Sequence, residues 1–187
     1  MDFAMDQRTK IHPKRYMMWM AIVSIIMMFV GLSSAFIVKR SQANWVSLEI
    51  PLVFFYSTGV ILASSLTVAM AKRAFGLRQI SRYAVWLGAT AVLGILFVVL
   101  QTIGFIELWN SGVTVSRNVS FSFLYVIVGL HALHVLGGVV ALIVMFIKSF
   151  SARNIVYSPL GINLMATYWH FVDILWIYLL IFMMIEG

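Results

Sequence analysis

The chain has 187 residues, 63% of them hydrophobic and 10% charged, with a mean hydropathy of +1.01. Soluble domains carry about 25% charged residues, so this composition marks an integral membrane protein, built as one bundle rather than two domains. Cysteine is absent, which excludes disulfides, thiolate metal sites, thiol catalysis and c-type haem attachment; the net charge of +7 sits between the apolar runs, where membrane topology accounts for it better than nucleic-acid binding does.

Crossing a hydrocarbon core takes roughly 20 apolar residues in a helix. Five runs meet that length, at about 16–38, 51–71, 83–106, 121–147 and 164–185. The first is too long for a signal-peptide core and reads as a retained helix. Asp2 and Asp6 near its start argue against an organelle transit peptide. Lys39-Arg40 closes it. Pro51 opens the second run at a position where proline costs little, and Lys72-Arg73 closes that run. The segment 72–82 interleaves Phe75, Leu77 and Ile80 with Lys72, Arg73, Arg78 and Arg82. It reads either as a headgroup contact for anionic phospholipid or as a plain topology signal. Glu107 and Asn110-Ser111-Gly112 follow the third run, Lys148 and Arg153 the fourth, and Ser158-Pro159-Leu160-Gly161 is a turn before the fifth.

The runs are continuously apolar and about twice the length of a barrel strand, so the fold class is all-α: an integral membrane bundle of five transmembrane helices. One side holds Arg8, Lys10, Lys14, Arg15, Lys72, Arg73, Arg78, Arg82, Lys148 and Arg153, and the other holds Lys39, Arg40 and Arg117. The positive-inside rule then makes the N-terminus cytoplasmic and the C-terminus, with Glu186, external.

Ionisable side chains within such helices are costly and point to partners or function. The fourth run carries His131 and His134, and the fifth carries Tyr168, His170 and Asp173. Each His/His or His/Asp pair is spaced by three residues and therefore shares a helix face. Counting about 1.5 Å per residue from the run ends sets His134 level with His170 and His131 level with Asp173. If helices four and five are antiparallel neighbours, these residues and Tyr168 form one buried polar network. Such a network fixes helix packing and register, holds a zinc or iron ion, or handles protons or lipid. Two histidines on one helix face cannot ligate opposite sides of one haem, so His131 and His134 are not an axial pair.

Other polar positions read more simply. Ser64, Ser65 and Thr67 are expected to bond back to their own helix carbonyls, and Gln101 is expected to act as packing glue. Gly137 and Ala141, and Gly88, Ala91 and Gly94, suit close helix approach, either within the bundle or against a partner. Trp19, Trp45, Trp109 and Trp169 suit interfacial aromatic belts. No nucleophile elbow, Walker loop or His-Glu-x-x-His motif is present, and Asp173 alone is a mid-membrane acid, so an aspartyl dyad is absent.

Tyr168-Trp169-His170-Phe171-Val172-Asp173, continuing through Ile174-Leu175-Trp176, resembles the last-helix motif of subunit III of the haem-copper terminal oxidases. His131-Ala132-Leu133-His134-Val135 followed by Gly137 resembles its penultimate-helix motif, while Leu62-Ala63-Ser64-Ser65-Leu66-Thr67 and Gln101 fit its preceding helices. The resemblance runs from about Met18 to the end and matches the short, five-helix bacterial form. Long members have seven helices, the first two forming one arm of a lipid-filled cleft. The family's first matching helix often carries a glutamate after a serine; here Ile25 follows Ser24, so no role resting on that carboxylate carries over.

The resemblance implies a single subunit III domain over residues 1–187, without redox centres or a catalytic site of its own. Haem and copper would reside in the partner subunits, chiefly subunit I, which this chain would contact directly. Subunit II, further respiratory subunits and bound phospholipid are the other implied partners. The implied complex reduces oxygen to water and pumps protons in the bacterial inner (cytoplasmic) membrane. Cytochrome c and quinol both remain open as electron donor, and a stand-alone metal- or haem-binding protein and a small proton-coupled transporter are the rival readings.

Overall fold

The computed structural model describes residues 13–40, 51–112, 119–150 and 159–186. They form five helices and, among the described residues, no strand: α1 (Pro13–Arg40), α2 (Leu52–Gly76), α3 (Ile80–Asn110), α4 (Val119–Ser149) and α5 (Leu160–Glu186). All five are long and apolar enough to cross a membrane.

Every helix overruns the apolar run that predicts it. At 31 residues each, α3 and α4 are about 46 Å long, against a hydrocarbon core of about 30 Å. Lysine and arginine are good helix formers, and their long stems let a helix continue into the headgroup layer. The 72–82 segment is accordingly no extended loop. Lys72 and Arg73 ride the last turns of α2, Arg82 lies on the first turn of α3, and only Leu77, Arg78 and Gln79 connect them. Arg78 takes a left-handed conformation there (φ 58°), and the Leu77, Arg78 and Gln79 amides close the turn on the Arg73, Phe75 and Ala74 carbonyls. Glu107 and Asn110 likewise belong to α3, and Leu160 and Gly161 to α5. Arg8, Lys10, Trp45, Arg117, Arg153 and Ser158 lie outside the described residues.

Helices α2, α3, α4 and α5 form a ring in which each packs on the next and α5 closes back onto α2. Helix α1 lies outside the ring, against α4 and α5. Cross-helix contacts fix the directions. Phe75 meets Tyr83 and Phe54 meets Phe105, so α2 and α3 are antiparallel. Gly88 meets Phe146 and Phe105 meets Tyr125, so α3 and α4 are antiparallel too. Ser64 meets Trp169 and Thr58 meets Trp176, which makes α2 and α5 antiparallel. Helix α1 opposes α4, with Phe29 on His134 and Phe36 on Phe123. One end of the bundle therefore gathers Lys14, Arg15, Lys72, Arg73, Arg78, Arg82 and Lys148, and Lys39 stands at the other.

The ring interior is one hydrophobic core, centred on Phe54, Phe97, Val135, Trp169 and Trp176. A second, smaller core of Phe29, Phe36, Ile127, Leu175, Leu179 and Phe182 glues α1 to α4 and α5. Trp169 is a core residue at 1% exposure rather than a belt residue, whereas Trp19 and Trp109 are exposed. Two glycines admit it. A Cβ on Gly94 of α3 would lie 2.8 Å from the Trp169 ring, and one on Gly138 of α4 would lie 2.9 Å from it. Gly88, Ala91 and Gly94 thus serve internal packing, while Gly137 and Ala141 face outward with open space beside Gly137.

Candidate functional site

Apolar helices leave their few polar side chains only each other and the backbone as partners, and α2 supplies most of those partners. Ser57 and Ser64 donate back to the Phe54 and Ile61 carbonyls, as serines within helices do. Their hydroxyl oxygens still accept, and here they accept across the bundle: Gln101 Nε2 donates to Ser57 Oγ at 3.0 Å, and Trp169 Nε1 donates to Ser64 Oγ at 2.9 Å. Thr58 holds the Phe54 carbonyl and accepts Trp176 Nε1 at 2.9 Å. Thr67 and Thr90 pair at 2.8 Å, tying α2 to α3. A serine or threonine that bonds back to its own helix is thus also a socket for a neighbour.

The five residues singled out from the sequence are placed as follows. Tyr168 Oη donates to the His134 carbonyl at 2.9 Å, joining α5 to α4. His134 uses its own Nδ1 on the Leu130 carbonyl at 2.7 Å and sets its ring edge-on to Phe29 of α1. His170 turns to α2, where its Nδ1 and Ser65 Oγ are hydrogen-bonded at 2.6 Å. His131 is fully buried, at 0% exposure. Its ring stacks on Trp176 (centroids 5.3 Å, planes 27° apart), with Phe97 at 6.1 Å and Phe29 at 6.5 Å edge-on. Neither of its nitrogens has a hydrogen-bond partner. Asp173 is 2% exposed and both its carboxyl oxygens lack a partner. Ser65 lies beside that carboxyl, but the hydroxyl's bond of good geometry is the one to His170.

The His131 ring thus meets Trp176, which follows Asp173 by three residues, about one helical turn, on α5. Among the described residues no three His, Cys, Asp or Glu side chains gather closely enough to hold a metal ion. The tryptophan sockets Ser64 and Thr58 were not foreseen. The signal available for them was a run of small hydroxyl residues on α2 recurring at helical spacing.

Lys72, Arg73 and Arg78 are exposed at the α2–α3 end, and Arg82 Nη1 donates to Gln79 Oε1 at 3.0 Å. Together with Lys14, Arg15 and Lys148 they make that end of the bundle strongly basic.

A protein-family model described as cytochrome c oxidase subunit III matches residues 9–187, nearly the whole chain. The chain belongs to the cytochrome c oxidase subunit III family. Its relatives spread across donors and kingdoms. A probable cytochrome c oxidase subunit 3 of Nocardia farcinica is 32% identical over 170 residues, covering 82% of this chain and 78% of that protein. A cytochrome bo(3) ubiquinol oxidase subunit 3 of Buchnera aphidicola is 36% identical over 105 residues, 54% of this chain and 53% of that one. The cytochrome c oxidase subunit 3 of Anopheles gambiae is 35% identical over 133 residues, 71% of this chain but 48% of the mosquito protein. The protein is thus a subunit III of a haem-copper oxidase of the respiratory chain, and a multi-pass membrane protein.

Proposed function

We propose that the chain is a non-redox accessory subunit, which binds no haem or copper itself and packs against the catalytic subunit I of a proton-pumping terminal oxidase. The observation that carries this reading is the family match over residues 9–187, taken with a bundle interior filled by side chains. Trp169, Trp176, Phe54 and Phe97 fill the centre of the bundle, and aromatic rings pack around His131. What such an interior can do is hold a shape.

His131, His134, His170, Asp173 and Tyr168 act in this reading as a structural lock. Tyr168 ties α5 to α4 and His170 ties α5 to α2, while the His131 ring packs the centre. The outer apolar faces of the ring and of α1 meet subunit I, with subunit II and other respiratory subunits beyond it, and phospholipid elsewhere. Lys72, Arg73, Arg78 and Arg82 contact anionic headgroups, and by the positive-inside rule their end of the bundle faces the cytoplasm of a bacterial inner membrane. Cytochrome c is taken as donor to the complex, which the name of the Nocardia relative supports; the name of the Buchnera relative supports quinol as the second reading.

Metal and haem analysis of the separated, folded chain tests this. Less than about one-tenth of an equivalent of iron, copper or zinc is expected, since among the described residues neither a closed nor an open ligand set of the usual kind is assembled. A stoichiometric metal or haem in the isolated chain would overturn the proposal.

A further inference from the structure

The α2–α5 seam carries a graded polar stripe that extends beyond the Ser65–His170 bond tying its helices together. On α5, Asn163, Thr167 and His170 recur at helical spacing and share one face. All three are half-buried. On α2, Ser65 and Lys72 share the facing side, with Ser65 half-buried and Lys72 exposed. Side chains lean toward the N-terminus of their helix, which for Lys72 means inward along the seam, toward Ser65. Its ammonium comes near enough to His170 to act on it electrostatically. The Ser65–His170 bond bridges the seam at 2.6 Å. One turn further in lies Asp173, 2% exposed, beside Ser65, with both oxygens unpartnered.

Exposure thus falls stepwise from Lys72 through His170 and Ser65 to Asp173, and every step offers a polar atom. A buried carboxyl that no protein group satisfies is costly unless water reaches it, and buried waters settle where two to four polar partners converge. Asp173 terminates a polar track that opens at the basic end of the bundle, and a packing role for it is compatible with water reaching it along that track.

We propose that the α2–α5 seam is a one-sided water inlet, which leads from the Lys72 end past Asn163, Thr167, Ser65 and His170 to Asp173. The inlet gives Asp173 an aqueous proton supply from that face only. It rests on the seam geometry and not on the identity of the partner subunits.

The chain's lack of cysteine makes the test direct. Ser65→Cys, Asn163→Cys and the lipid-facing control Leu66→Cys (Leu66 is 70% exposed) are expressed in the full chain, in sealed native membranes of both orientations. Each is treated with a membrane-impermeant cationic methanethiosulfonate, and labelling of this chain is read by mass. Because the thiolate is the reacting form and forms only where water reaches, Ser65→Cys should label roughly tenfold faster than Leu66→Cys. It should do so only from the face bearing Lys72, and Asn163→Cys, nearer the mouth, should label faster still. Asn163→Cys carries the test alone if Ser65→Cys fails to accumulate. Labelling at the Leu66→Cys rate, or equal labelling from both faces, overturns the inlet.

Discussion

Trp169 of α5 hangs its indole N–H on Ser64 Oγ of α2, 2.9 Å away, while its ring lies where Cβ atoms on Gly94 and Gly138 would stand. One side chain thereby contacts three neighbouring helices, and its position explains why the ring of α2, α3, α4 and α5 closes. Removing the N–H partner leaves a buried donor unpaired, and the cost in a membrane is modest because the unfolded chain also finds partners. A double-mutant cycle of Ser64→Ala and Trp169→Phe should give a coupling of about 0.6 kcal/mol and at most about 1.7. Reversible unfolding in detergent measures it; zero coupling would mean the bond does not stabilise the fold.

The same ring makes glycine obligatory on two of the helices around it. Gly94→Ala and Gly138→Ala should each destabilise by about 1–3 kcal/mol through overpacking. Gly137→Ala, with nothing within 4 Å of its new Cβ, should be neutral in the separated chain. Thermal unfolding of the three variants side by side decides this. A loss at Gly137→Ala that appears only in the assembled complex would mark α4's outer face as the contact with a partner.

His131 and Trp176 form the other central pair. Both imidazole nitrogens are unpaired, so replacing the ring by an apolar side chain removes a buried polar group without breaking a hydrogen bond. His131→Leu should therefore change stability by less than about 1.5 kcal/mol, whereas Trp176→Ala should cost about 3–5 kcal/mol. Chemical denaturation of the two variants is the check, and a severe loss at His131→Leu would show that the imidazole is bonded in the membrane.

Much of this architecture was legible in the sequence, because bilayer thickness and apolar run length leave one solution for each span. All five helices appear, and the spacing of Gly88, Ala91 and Gly94 marks a close helix approach, which the structure places inside the bundle. The ends were not legible: Lys72, Arg73 and Arg82 look like loop residues by hydropathy but lie within α2 and α3. The stacking of His131 on Trp176 was not legible either, because it depends on side-chain direction as well as on residue count. The pairing of Trp169 with Ser64 and of His170 with Ser65 depends on how α2 is rotated about its own axis. The even distribution of apolar residues around a membrane helix hides that rotation.

Asp173→Asn keeps the size of the side chain and removes its charge and its proton. If the residue belongs to the packing of α5 against α2, the variant should lower the yield of assembled complex several-fold, while protons pumped per electron in the complexes that do assemble stay unchanged. Quantifying assembled enzyme alongside proton release in vesicles separates these outcomes. Full assembly with abolished pumping would assign Asp173 to proton transfer instead.

The central claim, that this chain serves a redox partner rather than holding a redox centre, is tested most directly by affinity purification of the chain from its native membrane in mild detergent, with a visible spectrum recorded before and after the chain is stripped away. The account predicts a stoichiometric larger subunit bearing all the haem and copper, and a colourless subunit III once separated. Purification of the chain alone, with haem absorbance that follows it through the separation, would contradict the account.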